Sequence, residues 1–340
     1  MSAVGKIKLV AAKLGPEEQY KLLPDGRAFY IGSTPTTAYY TPSGNNSPGS
    51  WVQGPAIPNN LGAPDAPGAM MVNGKILCEL SPTPISGQHF PSPKYFYEFD
   101  YSAGANGTFT LIHAPDGSYS INAPTYTDRM LCLPDGTILY SDGSSQLYVY
   151  QPDGSPLAAA KPRIYGSSWN SDGTLHVTGT VFNGLGQGAT YGDDAQMDSN
   201  YPLLRFTELA TARVYNGRTF NWSSTSVQTG GRTVSTEAAM PSTVFAGPGT
   251  YLMQVVANGV ASDPVYFYGP VWVNFNYPGP IYAGNYALPY NTIAQGVSAV
   301  ASGGTIALNA SSQPSASSAA LTIAKPMTIV SVYGPSTIGH

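Results

Sequence analysis

Three segments of the chain repeat one pattern, in which an apolar stretch enters a Pro-Asp-Gly or Val-Asn-Gly turn and a second apolar stretch follows. They are residues 22–27, 70–75 and 131–137. Asp-Gly and Asn-Gly supply the positive φ angles that tight hairpin turns need. Each segment therefore predicts a β-hairpin, and a chain that repeats hairpins is constrained to an all-β architecture.

A further aromatic strand follows each hairpin, and its spacing tests whether the three units are equivalent. The interval from Gly26 to Tyr40 is the same as the interval from Gly136 to Tyr150. In the middle unit, the interval from Gly74 to the corresponding Phe99 is longer. The three units are thus equivalent, and the middle one carries an insertion.

The insertion falls in the polar, Pro-rich stretch 81–93, which predicts a surface loop. Each unit is expected to end in a short outer strand, around Trp51, Phe109 and Leu157. Strand, hairpin, strand and strand with a period of roughly 50 residues is typical of propeller blades. Unrelated hairpins within a β-sandwich are the alternative.

The Leu-Pro-Asp-Gly motif, followed by a Tyr-x-Tyr-x-Pro strand, resembles the kelch-type blades of the galactose oxidase-like family. In that family a propeller precedes an early-set, immunoglobulin-like domain. Segments 174–180, 191–205 and 248–267 are similar to parts of such a domain. The resemblance implies about three blades over residues 1–162 and an immunoglobulin-like β-sandwich over residues 163–270.

The remaining residues, 271–340, change in character. A short helix is predicted to begin after Pro289, with Ile293, Val297 and Val300 on one apolar stripe, and to end at Gly303-Gly304. Short β runs follow at 305–308, 321–323 and 327–330. A capping helix before closely spaced β runs resembles the start of a pectin lyase-like parallel β-helix.

Composition excludes several classes of function. Charged residues make up 10% of the chain, against about 25% in an ordinary soluble domain. The formal net charge of −4 provides no basic field for nucleic acid. No apolar run reaches the length of about 18 residues that a membrane-spanning helix needs. Two cysteines make neither a disulfide scaffold nor a Cys/His zinc site.

Low charge with abundant small polar residues and tyrosine is typical of extracellular or cell-surface β proteins, and a bacterial one is expected here.

The resemblance raises the question of copper catalysis. In copper-radical oxidases of the family, a Tyr-His pair before the last Leu-Pro-Asp-Gly strand ligates copper, whereas here Tyr126 is followed by Thr127. The matching stretch of the second domain, 218–222, contains no histidine, and neither Cys78 nor Cys132 lies where the family's Cys–Tyr cross-link is expected. Copper needs nitrogen donors. The sequence therefore predicts no copper and no enzymatic activity.

One acidic cluster offers oxygen ligands for calcium. It consists of Asp193, Asp194, Asp198 and Asn200. The cluster lacks the alternating spacing of a dedicated calcium loop. The alternative is that these side chains cap turns and bond backbone amides. Apart from calcium, no cofactor is predicted.

The leading functional hypothesis is a non-catalytic structural or adhesive module of a larger extracellular or surface protein. Closed propellers typically have four to eight blades, so three blades would leave two faces bare. This predicts self-association into a homo-oligomer or filament, or a longer parent chain. The alternatives are a glycan-binding module and a non-catalytic part of a carbohydrate-active oxidase or lyase.

Overall fold

The computed structural model describes residues 19–191, 195–196, 201–311, 315–317 and 321–339. Strands dominate this part of the chain, which confirms the all-β fold class. Its two short helices are α1 (Ser242–Ala246) and α2 (Ile293–Ala299). None of the described helices is long and apolar enough to cross a membrane.

Residues 19–53 form blade 1, an antiparallel sheet whose strands lie in chain order. They are β1 (Gln19–Leu22), β2 (Ala28–Ile31), β3 (Thr37–Thr41) and β4 (Ser50–Gln53). One face of blade 1 carries the buried Phe29, Ile31 and Tyr39 and packs against blade 2. The Phe29 ring stacks on Phe99 of that next blade at 4.2 Å between centroids.

Residues 61–112 form blade 2. Its strands are β5 (Leu61–Gly62), β6 (Pro67–Met70), β7 (Ile76–Pro82), β8 (Tyr95–Asp100) and β9 (Thr108–Ile112). The 81–93 insertion joins β7 to β8. Its residues from Ile85 to His89 are all exposed, as predicted for a surface loop. Strand β7 is buried on both faces, since blade 2 lies between the other two blades.

Residues 129–150 form blade 3, which has three strands. They are β10 (Arg129–Cys132), β11 (Ile138–Ser141) and β12 (Leu147–Tyr150). The prediction of an outer strand around Leu157 was wrong. Leu157 instead donates its N–H to the Val72 carbonyl at 2.9 Å, and a 3₁₀ turn follows it at Ala158–Ala160. This tertiary bond leads the chain away from β12.

The three predicted hairpins are confirmed with one shared geometry. Their turn glycines, Gly26, Gly74 and Gly136, have φ angles of 89°, 87° and 92°. In each turn the residue after the glycine donates its N–H to the side-chain oxygen of the Asp or Asn before it. Identical turn chemistry thus produces three equivalent hairpins.

The next strands are β13 (Arg163–Trp169), β14 (Leu175–Thr180), β15 (Ala189–Tyr191), β16 (Ala195–Gln196), β17 (Leu203–Glu208), β18 (Val214–Phe220), β19 (Val234–Ala239), β20 (Thr250–Ala257), β21 (Val260–Ala261) and β22 (Val265–Tyr268). All except β15 and β16 belong to one continuous antiparallel sheet. Its apolar cluster includes Phe206, Tyr251 and Met253, with Trp169 packed against them. Strands β15 and β16 instead extend blade 2, where β15 pairs with β6.

The C-terminal region contains β23 (Val271–Val273), β24 (Thr305–Asn309), β25 (Ser315–Ser317), β26 (Thr328–Val332) and β27 (Ser336–Ile338), paired in parallel. The predicted helix is present as α2, and Thr292 forms a capping box with Gln295. The predicted β run at 321–323 is not a strand. The domain boundaries at 162 and 270 stay predictions.

Candidate functional site

Blades 1, 2 and 3 together are called the fan, and the sheet of β13, β14 and β17–β22 is called the curled sheet. The inner strands of the fan, β1, β6 and β10, meet at its axis, where the backbone of β15 contacts all three. The Lys21 ammonium, on the inner strand of blade 1, donates to the Gly188 carbonyl at 3.0 Å. Gln187 donates its N–H to the Leu22 carbonyl at 2.9 Å. Strand β15 also contacts the inner strands of blades 2 and 3. The axis of the fan therefore serves as a packing interface.

Two of the hairpin turns contact the curled sheet directly. Gln228 donates its side-chain N–H to the Leu23 carbonyl of blade 1 at 2.6 Å. At blade 3, Gly259 approaches Gly136 so closely that a Cβ on Gly259 would lie 2.6 Å from the Gly136 Cα. The hairpin end of the fan is thus fixed against the sheet.

A buried ionic cluster lies between blades 2 and 3. The ammonium of Lys94 and the carboxylate of Asp128 form an ion pair in which both side chains are almost fully buried. The Tyr140 hydroxyl accepts from Lys94 at 2.9 Å and donates to Asp128 at 2.7 Å. Burial raises the pKa of Tyr140, which keeps its hydroxyl protonated. The cluster satisfies the two buried charges and joins the two blades.

Glu79 lies beside this cluster and is fully buried, with its carboxyl group close to Asp128 and Tyr140. Burial, followed by the negative charge of Asp128, raises the pKa of Glu79 well above its ordinary value. This group was not predicted from the sequence. Its members are far apart in sequence and lie in no motif, so only the packing of two blades brings them together.

A cavity of about 210 Å³ opens next to the cluster, between blades 2 and 3. Its residues are mostly apolar or aromatic: Leu77, Phe96, Ile112, His113, Ala114, Pro115, Met130, Tyr140, Tyr148, Val149 and Tyr150. The Tyr150 hydroxyl donates to Glu98 at 2.7 Å, and Glu98 forms an ion pair with Lys75 at 2.8 Å. This cavity combines apolar walls with fixed polar groups, as ligand-binding sites do.

Among the described residues, the two end blades each have one face that no other blade covers. Blade 1 carries an aromatic row on this face, in which Tyr20 is 38% exposed and Tyr30, Tyr40 and Trp51 are half-buried. Tyr30 lies 5.9 Å from Tyr20 and 4.9 Å from Trp51, and Trp51 lies 5.0 Å from Tyr40. Blade 3 exposes an aliphatic row made of Leu131, Leu139, Leu147 and Val149. In this row Leu147 is 53% exposed and Val149 is 60% exposed.

Tyr126, Thr127 and Cys78, the residues at or near the family's copper positions, do not fit a copper centre. Tyr126 is 43% exposed and packs on the Phe90 ring at 4.9 Å. The Thr127 hydroxyl donates to Asp128 at 2.7 Å. Cys78 is buried, and burial raises the pKa of its thiol. Imidazole nitrogens suit copper, and the position after Tyr126 supplies a hydroxyl that is already bonded.

The calcium candidates Asp193, Asp194, Asp198 and Asn200 lie outside the described residues. Within the described ranges, no group of three or more His, Cys, Asp or Glu side chains could hold a metal ion. His176 and Glu237 form a pair at 2.8 Å between neighbouring strands of the curled sheet, and the Asn170 side chain donates to the same carboxylate.

Comparison with known proteins finds similarity among solved structures alone. No family model matches the chain. No curated protein matches it either. Among solved structures, the chain is similar to a fungal alcohol oxidase of the AA5 family in complex with copper, with a TM-score of 0.30 and 12% identity. The likeness covers 74% of this chain and 54% of the oxidase, so the chain spans about half the length of that enzyme.

Proposed function

We propose that the chain is a non-catalytic structural module of a larger extracellular or surface protein, and that it binds a second copy of itself through its two open blade faces. The observation that supports this proposal is the exposed aliphatic row of blade 3, together with the partly exposed aromatic row of blade 1. The aliphatic row exposes more than half of both Leu147 and Val149. Contiguous apolar surface of this kind marks interaction sites in soluble proteins.

The interfaces inside the fan support face-to-face packing of such blades. Blade 2 packs through Phe99 against Phe29 of blade 1, and through Phe96 against Tyr140 of blade 3 at 5.3 Å. The two open faces belong to the same kind of sheet and differ from each other, one being aromatic and the other aliphatic. The aromatic face of one chain can therefore pack on the aliphatic face of its partner, twice around a two-fold axis. Two fans of three blades give six, which lies within the usual four to eight.

Light scattering coupled to size exclusion tests this association. We expect the 35.7 kDa chain to form a species of about twice that mass. The double variant Leu147→Glu, Val149→Glu should be monomeric, because both side chains are exposed in the single chain and charged in the variant. The control Ile281→Glu changes an aliphatic side chain that is 63% exposed in the C-terminal region, and should keep the dimer. A wild-type chain that stays monomeric at 100-fold different loading concentrations, or a double variant that still associates, would overturn the proposal.

Glycan binding is the second candidate, and the aromatic row of Tyr20, Tyr30, Tyr40 and Trp51 is the observation that favours it. Exposed aromatic faces can stack on apolar faces of sugar rings. A glycan array probed with wild type and with Trp51→Ala tests this function. Signals that are lost in Trp51→Ala but kept in the Leu147→Glu, Val149→Glu variant would favour glycan binding over self-association.

A further inference from the structure

Blades 1 and 2 each end in an outer strand, whereas blade 3 has no outer strand among the described residues. Blades 1 and 2 therefore show what an outer strand would add to blade 3. In blade 1, outer strand β4 pairs with β3 and places Trp51 opposite Tyr40, with ring centroids 5.0 Å apart. In blade 2, outer strand β9 pairs with β8 and places Phe109 opposite Phe99, at 4.5 Å. The fourth strand of a blade thus adds one aromatic ring to the aromatic residue of the third strand.

Tyr150 is the counterpart of Tyr40 in blade 3, since both follow the turn glycine of their hairpins at the same interval. Strand β12 pairs with β11 along one edge, and Tyr150 lies opposite Ile138. Among the described residues, no strand pairs with the other edge of β12. Alternate backbone N–H and C=O groups of a strand point to each edge. Residues 147–150 therefore offer backbone groups to a further strand.

The cavity between blades 2 and 3 lies beside this free edge, and Tyr148, Val149 and Tyr150 line it. The Tyr150 ring is fixed at the wall because its hydroxyl donates to Glu98. The cavity therefore lies where a fourth strand of blade 3 would insert its aromatic side chain.

We propose that this cleft accepts an extended peptide segment of a partner protein, which pairs with β12 as the missing fourth strand and inserts an aromatic side chain beside Tyr150. Addition of a peptide strand to a free sheet edge is an established mode of recognition, in which backbone bonds give affinity and a side-chain pocket gives specificity.

The size and chemistry of the cavity favour an aromatic side chain over a sugar. An apolar cavity of about 150 Å³ can hold benzene, so about 210 Å³ accommodates one substituted ring. A sugar ring would bury several hydroxyl groups, and each costs free energy when it loses water without gaining a partner. The polar groups among the lining residues are few, and two of them, Tyr140 and Tyr150, already donate to carboxylates.

The outer strand of blade 2, β9, provides the sequence of the peptide probe. A capped peptide with the sequence of residues 107–112, Gly-Thr-Phe-Thr-Leu-Ile, is titrated into the full chain by calorimetry. Its matched control replaces the phenylalanine by alanine. We expect saturable binding of the first peptide, and binding at least tenfold weaker for the second. Amide hydrogen exchange of residues 147–150 should slow in the complex, which apolar adhesion elsewhere would not cause.

A protein variant tests the cavity itself. Ala114 is buried and lines the cavity, so Ala114→Phe fills it and should weaken peptide binding at least tenfold. Ala105→Phe, in the exposed turn between β8 and β9, is the control and should bind as wild type. If Ala114→Phe fails to fold, the affinities of the two peptides for the wild type and the amide exchange of residues 147–150 still test the proposal. Absence of saturable binding up to 1 mM peptide, equal affinity of both peptides, or unchanged exchange at 147–150 would overturn the proposal.

Discussion

Glu79→Gln should abolish a specific component of the pH dependence of stability. The carboxyl group of Glu79 is fully buried and lies near Asp128. Burial and this neighbouring charge raise the pKa of Glu79 well above its value of 4.5 in an unfolded chain. The folded protein therefore holds a proton that the unfolded chain releases once the pH exceeds about 4.5.

The sign and size of the effect follow from this difference in bound protons. Where the folded state binds one proton more than the unfolded chain, the free energy of unfolding falls by about 1.4 kcal/mol for each pH unit. The contribution of Glu79 is fully present below pH 4.5 and is lost as the pH rises through the folded pKa. Glutamine has the same shape and does not titrate, so the variant should gain on the wild type by this amount for each pH unit between 4.5 and the folded pKa of Glu79.

Urea denaturation between pH 4 and pH 8, followed by tryptophan fluorescence, measures the difference between wild type and Glu79→Gln. Glu208→Gln is the control, because its carboxylate lies at the surface and accepts from the Thr211 hydroxyl. The difference for Glu79→Gln should grow with pH, and that for Glu208→Gln should not. A difference for Glu79→Gln that stays constant across this range would refute a neutral, buried Glu79.

Two further predictions concern packing. Gly259→Ala should destabilise the protein by about 1–3 kcal/mol more than Gly154→Ala, because both glycines have positive φ but only Gly259 lies against the backbone of Gly136. Equal shifts in the urea midpoint of the two variants would mean that the positive φ angle alone, and not the contact with Gly136, causes the loss of stability. Trp272→Ala should cost about 3–5 kcal/mol, since Trp272 is fully buried, whereas Trp222→Ala should cost about 1 kcal/mol, since Trp222 is 37% exposed. Similar losses in the two variants would contradict this assignment of the core.

Part of the fold follows from local chemistry and could be predicted from the sequence. The turn of each hairpin is closed by its own glycine and by the Asp or Asn before it, and these residues are adjacent. Helix α2 is predictable for the same reason, because Thr292 and Gln295 cap it within one turn. The all-β class and the equivalence of three units follow from repetition of such local signals.

Contacts between distant segments decided the other features of the fold and of the candidate site. The repeat predicts an outer strand around Leu157, but the bond of Leu157 to Val72 directs the chain elsewhere and leaves blade 3 with three strands among the described residues. The buried position of Glu79 beside Asp128 depends on the packing of two blades whose members are dozens of residues apart. The sequence by itself determined which segments form hairpins, because turn preferences act over only a few neighbouring residues. Only the tertiary structure decided which edges and faces stay open, because that depends on where distant segments find their hydrogen-bond partners.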